Sequence, residues 1–259
     1  MGTDVESQRI PATIARELGR KIVSGALPPG TMLDGEMRAS EQLHVSRTAY
    51  REAVGQLVAK GLVESRPKVG TVVSEQRYWH LLDTDVLAWI FEFEAEHNIL
   101  CSLLEMRRLI EPEAAALAAS RRSEADLMAM RAALDAMAEH KLTTPEGQLA
   151  DERFHLALLD ASGNIFLRSI SGAVSAALQW TNILRKRAND QPCSVEDHRG
   201  VYHAVAAGDA ATARRAMLQV IEFTAMSLMR KEAEDPNNPD GQATSEVVVM
   251  RSHPRARRA

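Results

Sequence analysis

Along most of the chain apolar residues recur every three or four positions, the period of a helix with one buried face, and strand-like alternation is confined to one short stretch. Over residues 11–24, Ile14, Leu18 and Ile22 share a face, and Pro11 suits a first helical turn. Gly25, Pro28, Pro29 and Gly30 break the chain. Asp34 is then placed to cap a short helix ending near Leu43, and Ser46 to cap another that runs to about Lys60 and stops at Gly61. Tyr50, Ala53, Val54 and Leu57 form the apolar stripe of this helix, while Arg47, Thr48 and Arg51 lie together off it. Two β-like runs follow, 62–65 and 71–73, joined by Arg66-Pro67-Lys68-Val69-Gly70. Three short helices and a basic-tipped hairpin are the plan of a winged helix-turn-helix.

The remainder reads as helices, expected over 98–120, 123–139, 146–162, 165–187, 194–207 and 209–231, with Thr143-Thr144-Pro145, Gly163-Asn164 and Gly208-Asp209 as punctuation. Abundant Ala and few β-branched runs favour a bundle over a sheet. The expected fold is mainly α: an N-terminal winged helix-turn-helix with a small β-hairpin wing, then a C-terminal all-α bundle. Its parts are a winged helix-turn-helix domain over 1–74, a linker with a short helix over 75–97, an all-helical domain over 98–232, and a disordered tail over 233–259.

Composition narrows the class. At 259 residues, 45% hydrophobic and 25% charged, the chain is ordinary globular protein with enough length for a buried core. It has no apolar run long enough to span a membrane and no apolar leader at its start, and two cysteines, Cys101 and Cys193, make no disulfide framework. A cytoplasmic protein is expected. The net charge of −4 is unevenly divided: residues 1–74 carry 10 Lys/Arg against 8 Asp/Glu, whereas the rest carries 21 against 27. A slightly basic front on an acidic remainder fits two modules with different partners.

The basic front has a specific chemistry. Arginines near the start of a recognition helix can fork onto guanine edges in the major groove, and a wing with Lys68 and Gly70 can follow a phosphate strand. The segments Gly25-Ala26-Leu27-Pro28-Pro29-Gly30, Val45-Ser46-Arg47-Thr48-Ala49-Tyr50-Arg51-Glu52-Ala53-Val54, Gly61-Leu62-Val63 and Gly70-Thr71-Val72-Val73 resemble the GntR family of bacterial transcription regulators across residues 11–73. The resemblance implies operator contacts by Arg47, Thr48 and Arg51, with Gly70 at the wing tip. Relatives also use an arginine one helix earlier; Met37-Arg38 stands there, which adds Arg38.

In the bundle, polar residues occupy apolar stripes. Arg107 lies with Leu103, Ile110, Ala114 and Leu117; Asp151 and His155 share a face with Leu158; His198 aligns with Val201, Tyr202 and Val205. Buried charges need partners or a ligand. An Asp and a His one turn apart, joined by a His from another helix, can begin a divalent-metal site or form a self-satisfied polar network. Glu105-Met106-Arg107-Arg108-Leu109-Ile110-Glu111-Pro112, Asp151-Glu152-Arg153-Phe154-His155 and Asp197-His198-Arg199 resemble the FCD effector domain of the FadR subgroup. That resemblance implies one zinc-like ion held by Asp151, His155, His198 and a further histidine, with Arg107 meeting the carboxylate of a small organic acid. Val220 stands where the further histidine is expected, so the ligand set is incomplete, and Trp180 is a candidate pocket wall. Residues 78–89, with Trp79, Leu82-Asp83, Asp85-Val86-Leu87 and Trp89, resemble regulators of sugar-acid catabolism.

The leading expectation is a homodimeric repressor of double-stranded operator DNA, released by a small carboxylate such as a sugar acid. An alternative from another class is a metal-dependent hydrolase built on Asp151, His155 and His198, although no nucleophile elbow, HExxH or phosphate loop accompanies them. A winged helix that contacts only protein is a third.

Overall fold

The computed structural model describes residues 3–92, 97–188 and 194–234, so the tail expected over 233–259 lies almost wholly outside the described residues. The chain divides into two compact units at about residue 99.

In the first unit α1 (Thr3–Val23) packs on α3 (Arg47–Ala59) through Ile14, Ala15 and Ile22 against the buried Tyr50, Ala53 and Leu57. Helix α1 begins before Pro11, which sits in its interior rather than in its first turn. Helix α2 (Glu36–Leu43) is capped by Gly35 and not by Asp34. Asp34 is engaged elsewhere: its carbonyl accepts from the Tyr50 hydroxyl at 3.0 Å, and its carboxylate meets Arg38 at 3.4 Å. Ser46 does cap α3, its hydroxyl accepting from the Ala49 N–H at 3.1 Å. Strands β1 (Val63–Arg66) and β2 (Gly70–Val73) pair antiparallel, with Val63 opposite Val73 and Arg66 opposite Gly70. Residues 31–33 add a third rung to β2, since Leu33 N–H donates to Thr71 and Val73 N–H to Thr31, both at 2.9 Å.

The segment after the wing carries α4 (Thr84–Glu92), which packs on α1. Trp89 lies so close to Gly19 that a Cβ there would fall 2.3 Å from the indole. Lys60, the C-cap of α3, reaches both Asp83 oxygens (2.8 and 2.9 Å) and Asp85 (2.7 Å). Asp83 in turn accepts from the Asp85 and Val86 N–H groups that open α4. The end of the third helix is thereby tied to the start of the fourth.

The second unit holds α5 (His97–Arg121), α6 (Glu124–His140), α7 (Pro145–Ala161), α8 (Ile165–Ser169), α9 (Ser171–Ala188), α10 (Val195–Ala207) and α11 (Ala210–Glu234). Capping boxes at Ser123/Asp126 and Ser194/Asp197 open α6 and α10, and Thr144 with Pro145 opens α7. The single helix expected over 165–187 is two, because Ile170 breaks it. The Ser169 hydroxyl donates back to the Phe166 carbonyl at 2.8 Å, a local bond that competes with the helical ladder. Met130, Met137, Phe154, Leu158, Val205, Met217 and Ile221 form one core across α6, α7, α10 and α11, and Ala114, Leu159, Val174 and Leu178 form a second across α5, α7 and α9. These two cores bracket α7 and place its polar residues between helices. Among the described residues no helix is long and apolar enough to cross a membrane.

Candidate functional site

In the first unit Arg47, Thr48 and Arg51 are all exposed, on the first turns of α3, opposite the face that buries Tyr50, Ala53 and Leu57. Arg51 lines a groove of about 600 Å³ between α3 and the wing, whose other wall includes Val69 and Gly70. The wing tip is exposed, with Lys68 at φ 65° and Gly70 at φ 118°, a value that only glycine adopts without strain. Arg66 pairs with Glu64 at 2.6 Å, which leaves Lys68 as the cation projecting from the tip. Arg38 is 73% exposed beside Asp34. Helix start, wing and Arg38 thus lie in one unit, with their cationic groups in solvent and their apolar groups in its core.

In the second unit the three residues singled out as ligands converge. One atom from each of Asp151, His155 and His198 lies within 4.8 Å of the others, and all three residues are buried. Asp151 and His155 come from one face of α7, and His198 from the first turns of α10. His198 Nε2 is 2.9 Å and His155 Nε2 3.7 Å from Asp151 Oδ1. Tetrahedral ligands about 2.0–2.1 Å from a zinc ion stand roughly 3.3 Å apart, so these two separations bracket what such an ion needs. The remaining ring nitrogens are held: His155 Nδ1 lies 2.5 Å from Glu111 Oε2, and His198 Nδ1 donates to the Ser194 carbonyl at 3.0 Å. An acceptor on Nδ1 fixes the ring and turns the Nε2 lone pair toward the centre, the arrangement found behind metal-binding histidines. Phe154 braces both rings edge-on, at centroid distances of 6.1 and 5.3 Å. The residues present therefore fit a divalent ion, with three protein ligands and an open side.

The electrostatics are those of a dry site. Burial alone would push the Asp151 carboxyl up; the adjacent His198, with His155 and Arg185, outweighs it and holds the group well below the usual carboxylate range. Burial acts likewise on Glu111, but Arg107 and His155 lower it from 4.5 to about 2.

Two groups were missed from sequence. Glu111, 0% exposed, lies between Arg107 and His155: Arg107 Nε donates to Glu111 Oε1 at 2.5 Å and Nη2 to Oε2 at 3.4 Å. Arg107 is buried as expected, yet the carboxylate it meets is the chain's own. The four-residue spacing of Arg107 and Glu111 was the available signal. The second group is Arg185, buried on α9 beside Asn182. Its position among Thr181, Asn182, Lys186 and Arg187 offered no contrast by which to single it out. Trp180, two residues before Asn182, is buried. Val220 is buried in the core that includes Phe154, and His203, the other histidine of α10, is exposed and meets the Tyr202 ring edge-on.

Comparison with protein families decides the identity. Residues 11–73 match the model of bacterial regulatory proteins of the gntR family, and residues 102–223 match the FCD domain. The chain belongs to the GntR family. The galactonate operon transcriptional repressor of Escherichia coli is 32% identical over 79% of this chain and 90% of its own length. The HTH-type transcriptional regulator LutR of Bacillus subtilis is 37% identical over 76% of this chain and 91% of its own. A solved structure of Lar, described as controlling the Listeria monocytogenes agr system, superposes with a TM-score of 0.58 at 21% identity over 85% of this chain and 96% of its own, which supports the fold. This GntR-family protein is a DNA-binding transcriptional regulator with a small-molecule effector domain, and the hydrolase alternative falls with that assignment.

Proposed function

We propose that this GntR-family regulator is a cytoplasmic homodimeric repressor of an organic-acid catabolic operon, released from its operator by a small carboxylate of the sugar-acid type. The observation that carries the effector half is the convergence of Asp151, His155 and His198 with both Nδ1 atoms already held. Those three residues would hold a divalent ion, which when bound supplies a positive centre for carboxylate and hydroxyl oxygens. Asp151 contributes the anionic ligand, the two histidines contribute Nε2, and Trp180 walls the pocket. Val220 keeps that side apolar and leaves the coordination open for the acid. The similarity to a galactonate repressor favours a polyhydroxy acid.

For the DNA half, Arg47, Thr48 and Arg51 read base edges from the start of α3, Lys68 and Gly70 follow the backbone from the wing, and Arg38 adds a phosphate contact. Two such units in a dimer read half-sites about one helical turn apart, roughly 34–36 Å. The acid acts by binding one arrangement of the dimer better than another. Footprinting on the DNA upstream of its own coding sequence, with D-galactonate, gluconate and glycolate added with and without Zn²⁺, tests the reading. Protection of a palindrome that one acid relieves is expected. A footprint indifferent to every acid, with or without metal, would overturn the effector half.

A further inference from the structure

Arg107 is the expected receptor for an effector carboxylate, and Glu111 takes its Nε and Nη2. A second buried arginine is differently placed. Arg185 is 6% exposed on α9, and among the described residues no carboxylate lies within ion-pair distance of it. Its Nη2 donates to Asn182 Oδ1, one turn back on the same helix, and its Nη1 is buried with no hydrogen-bond partner. Buried cations are normally paired, because a dehydrated charge is costly and a neutral amide compensates only part of that cost. The orphaned N–H group is therefore a gap where an anion belongs.

The location of that gap is set by packing. Helix α9 runs beside α7 in the turns before Arg185, for Glu152 of α7 accepts from Ser175 and, at 3.4 Å, from Gln179 of α9. Asp151, the neighbour of Glu152, is buried, and its carboxylate feels the charge of Arg185. The orphaned guanidinium thus stands near the same cluster that gathers His155 and His198, approached from a third helix. A planar guanidinium fixed by an amide offers a carboxylate a preset donor, which a flexible ammonium does not.

We propose that Arg185, oriented by Asn182, receives the carboxylate of a small organic acid bound at the Asp151–His155–His198 cluster. The proposal rests on the reading of that cluster as the effector site. It also assigns a cost: the free protein keeps in its interior a cation with no counter-charge among the described residues, so that an anion can complete it.

The test uses the full chain in low-anion buffer with Zn²⁺, with thermal unfolding for stability and calorimetry for binding, and with acetate, glycolate and D-galactonate as probes. At least one acid raises the native midpoint. Arg185→Met without acid unfolds about 2–4 °C higher than the native chain, because the unmatched charge is gone, yet binds that acid about 10–100-fold more weakly, the worth of a charged hydrogen bond. Native affinity in Arg185→Met, or a lowered midpoint with no change in binding, overturns the proposal while the effector reading stands. If no acid binds the native chain, the effector reading falls and this proposal falls with it.

Discussion

Glu111→Gln in the metal-free protein isolates one buried charge. Glu111 is fully buried, with Arg107 Nε at 2.5 Å and His155 Nδ1 at 2.5 Å. Glutamine preserves the shape and one acceptor, but it leaves the Arg107 guanidinium without its counter-charge. Removing one partner of a buried pair costs about 3–5 kcal/mol. Titration gives a second route to the figure. A carboxyl that ionises at about 2 when folded and 4.5 when unfolded ties about 3 kcal/mol of stability to its charged form. Because the folded value is the lower one, that contribution is complete above 4.5 and drains away as pH falls toward 2. The expected result is a loss of about 3 kcal/mol at pH 7 that narrows as the pH drops below 4.5. Guanidinium unfolding followed by circular dichroism, with chelator present, measures it. A variant within about 1 kcal/mol of the native chain at pH 7, the size of one ordinary hydrogen bond, would refute the reasoning. So would a deficit that stayed constant on acidification.

Other outcomes follow from the same geometry. Arg51→Ala should cost about 1–3 kcal/mol of operator binding and relax the base preference at one position, whereas Lys68→Ala should weaken all duplexes alike and reduce the salt slope by about one; quantitative gel shifts at several salt concentrations separate the two. Gly61→Ala should destabilise the first unit by more than about 2 kcal/mol, since φ is 71° and the new Cβ would lie 2.1 Å from the Tyr78 carbonyl; a thermal midpoint equal to that of the native chain would contradict it. His198→Ala should abolish Zn²⁺-dependent stabilisation, and in the native chain that stabilisation should fade as pH falls and protons compete for the imidazoles; differential scanning calorimetry with and without chelator reads both.

Periodicity reached the faces but not the neighbours across them. Ser46 was legible as a cap because its hydroxyl acts within one turn, and Asp151, His155 and His198 were legible as inward-pointing because a helical wheel reports direction. What faces an inward group from another helix is a tertiary fact. Hence Glu111, which needs both α5 and α7 to acquire its meaning, escaped notice, and Arg185 was one cation among several at the end of α9. Asp34 misled for a related reason: its residue type suits a cap, but contacts with Tyr50 and Arg38 outcompete that use, and Gly35 takes the position. The third rung at 31–33 was hidden in a Gly/Pro-rich stretch, where three residues carry too little alternation to read as a strand.

The tie from Lys60 to Asp83 and Asp85 fastens α3, the helix proposed to read the operator, at the end farthest from Arg47. From Arg47 to Ala59 that helix is about 18 Å long, so it behaves as a lever whose pivot is an ammonium gripped by two carboxylates. A tilt of only about five degrees at the pivot swings the opposite tip by roughly 1.6 Å, more than the tolerance of a bidentate contact to a base. Any torque that reaches the first turn of α4 is thereby magnified into a register error on the duplex.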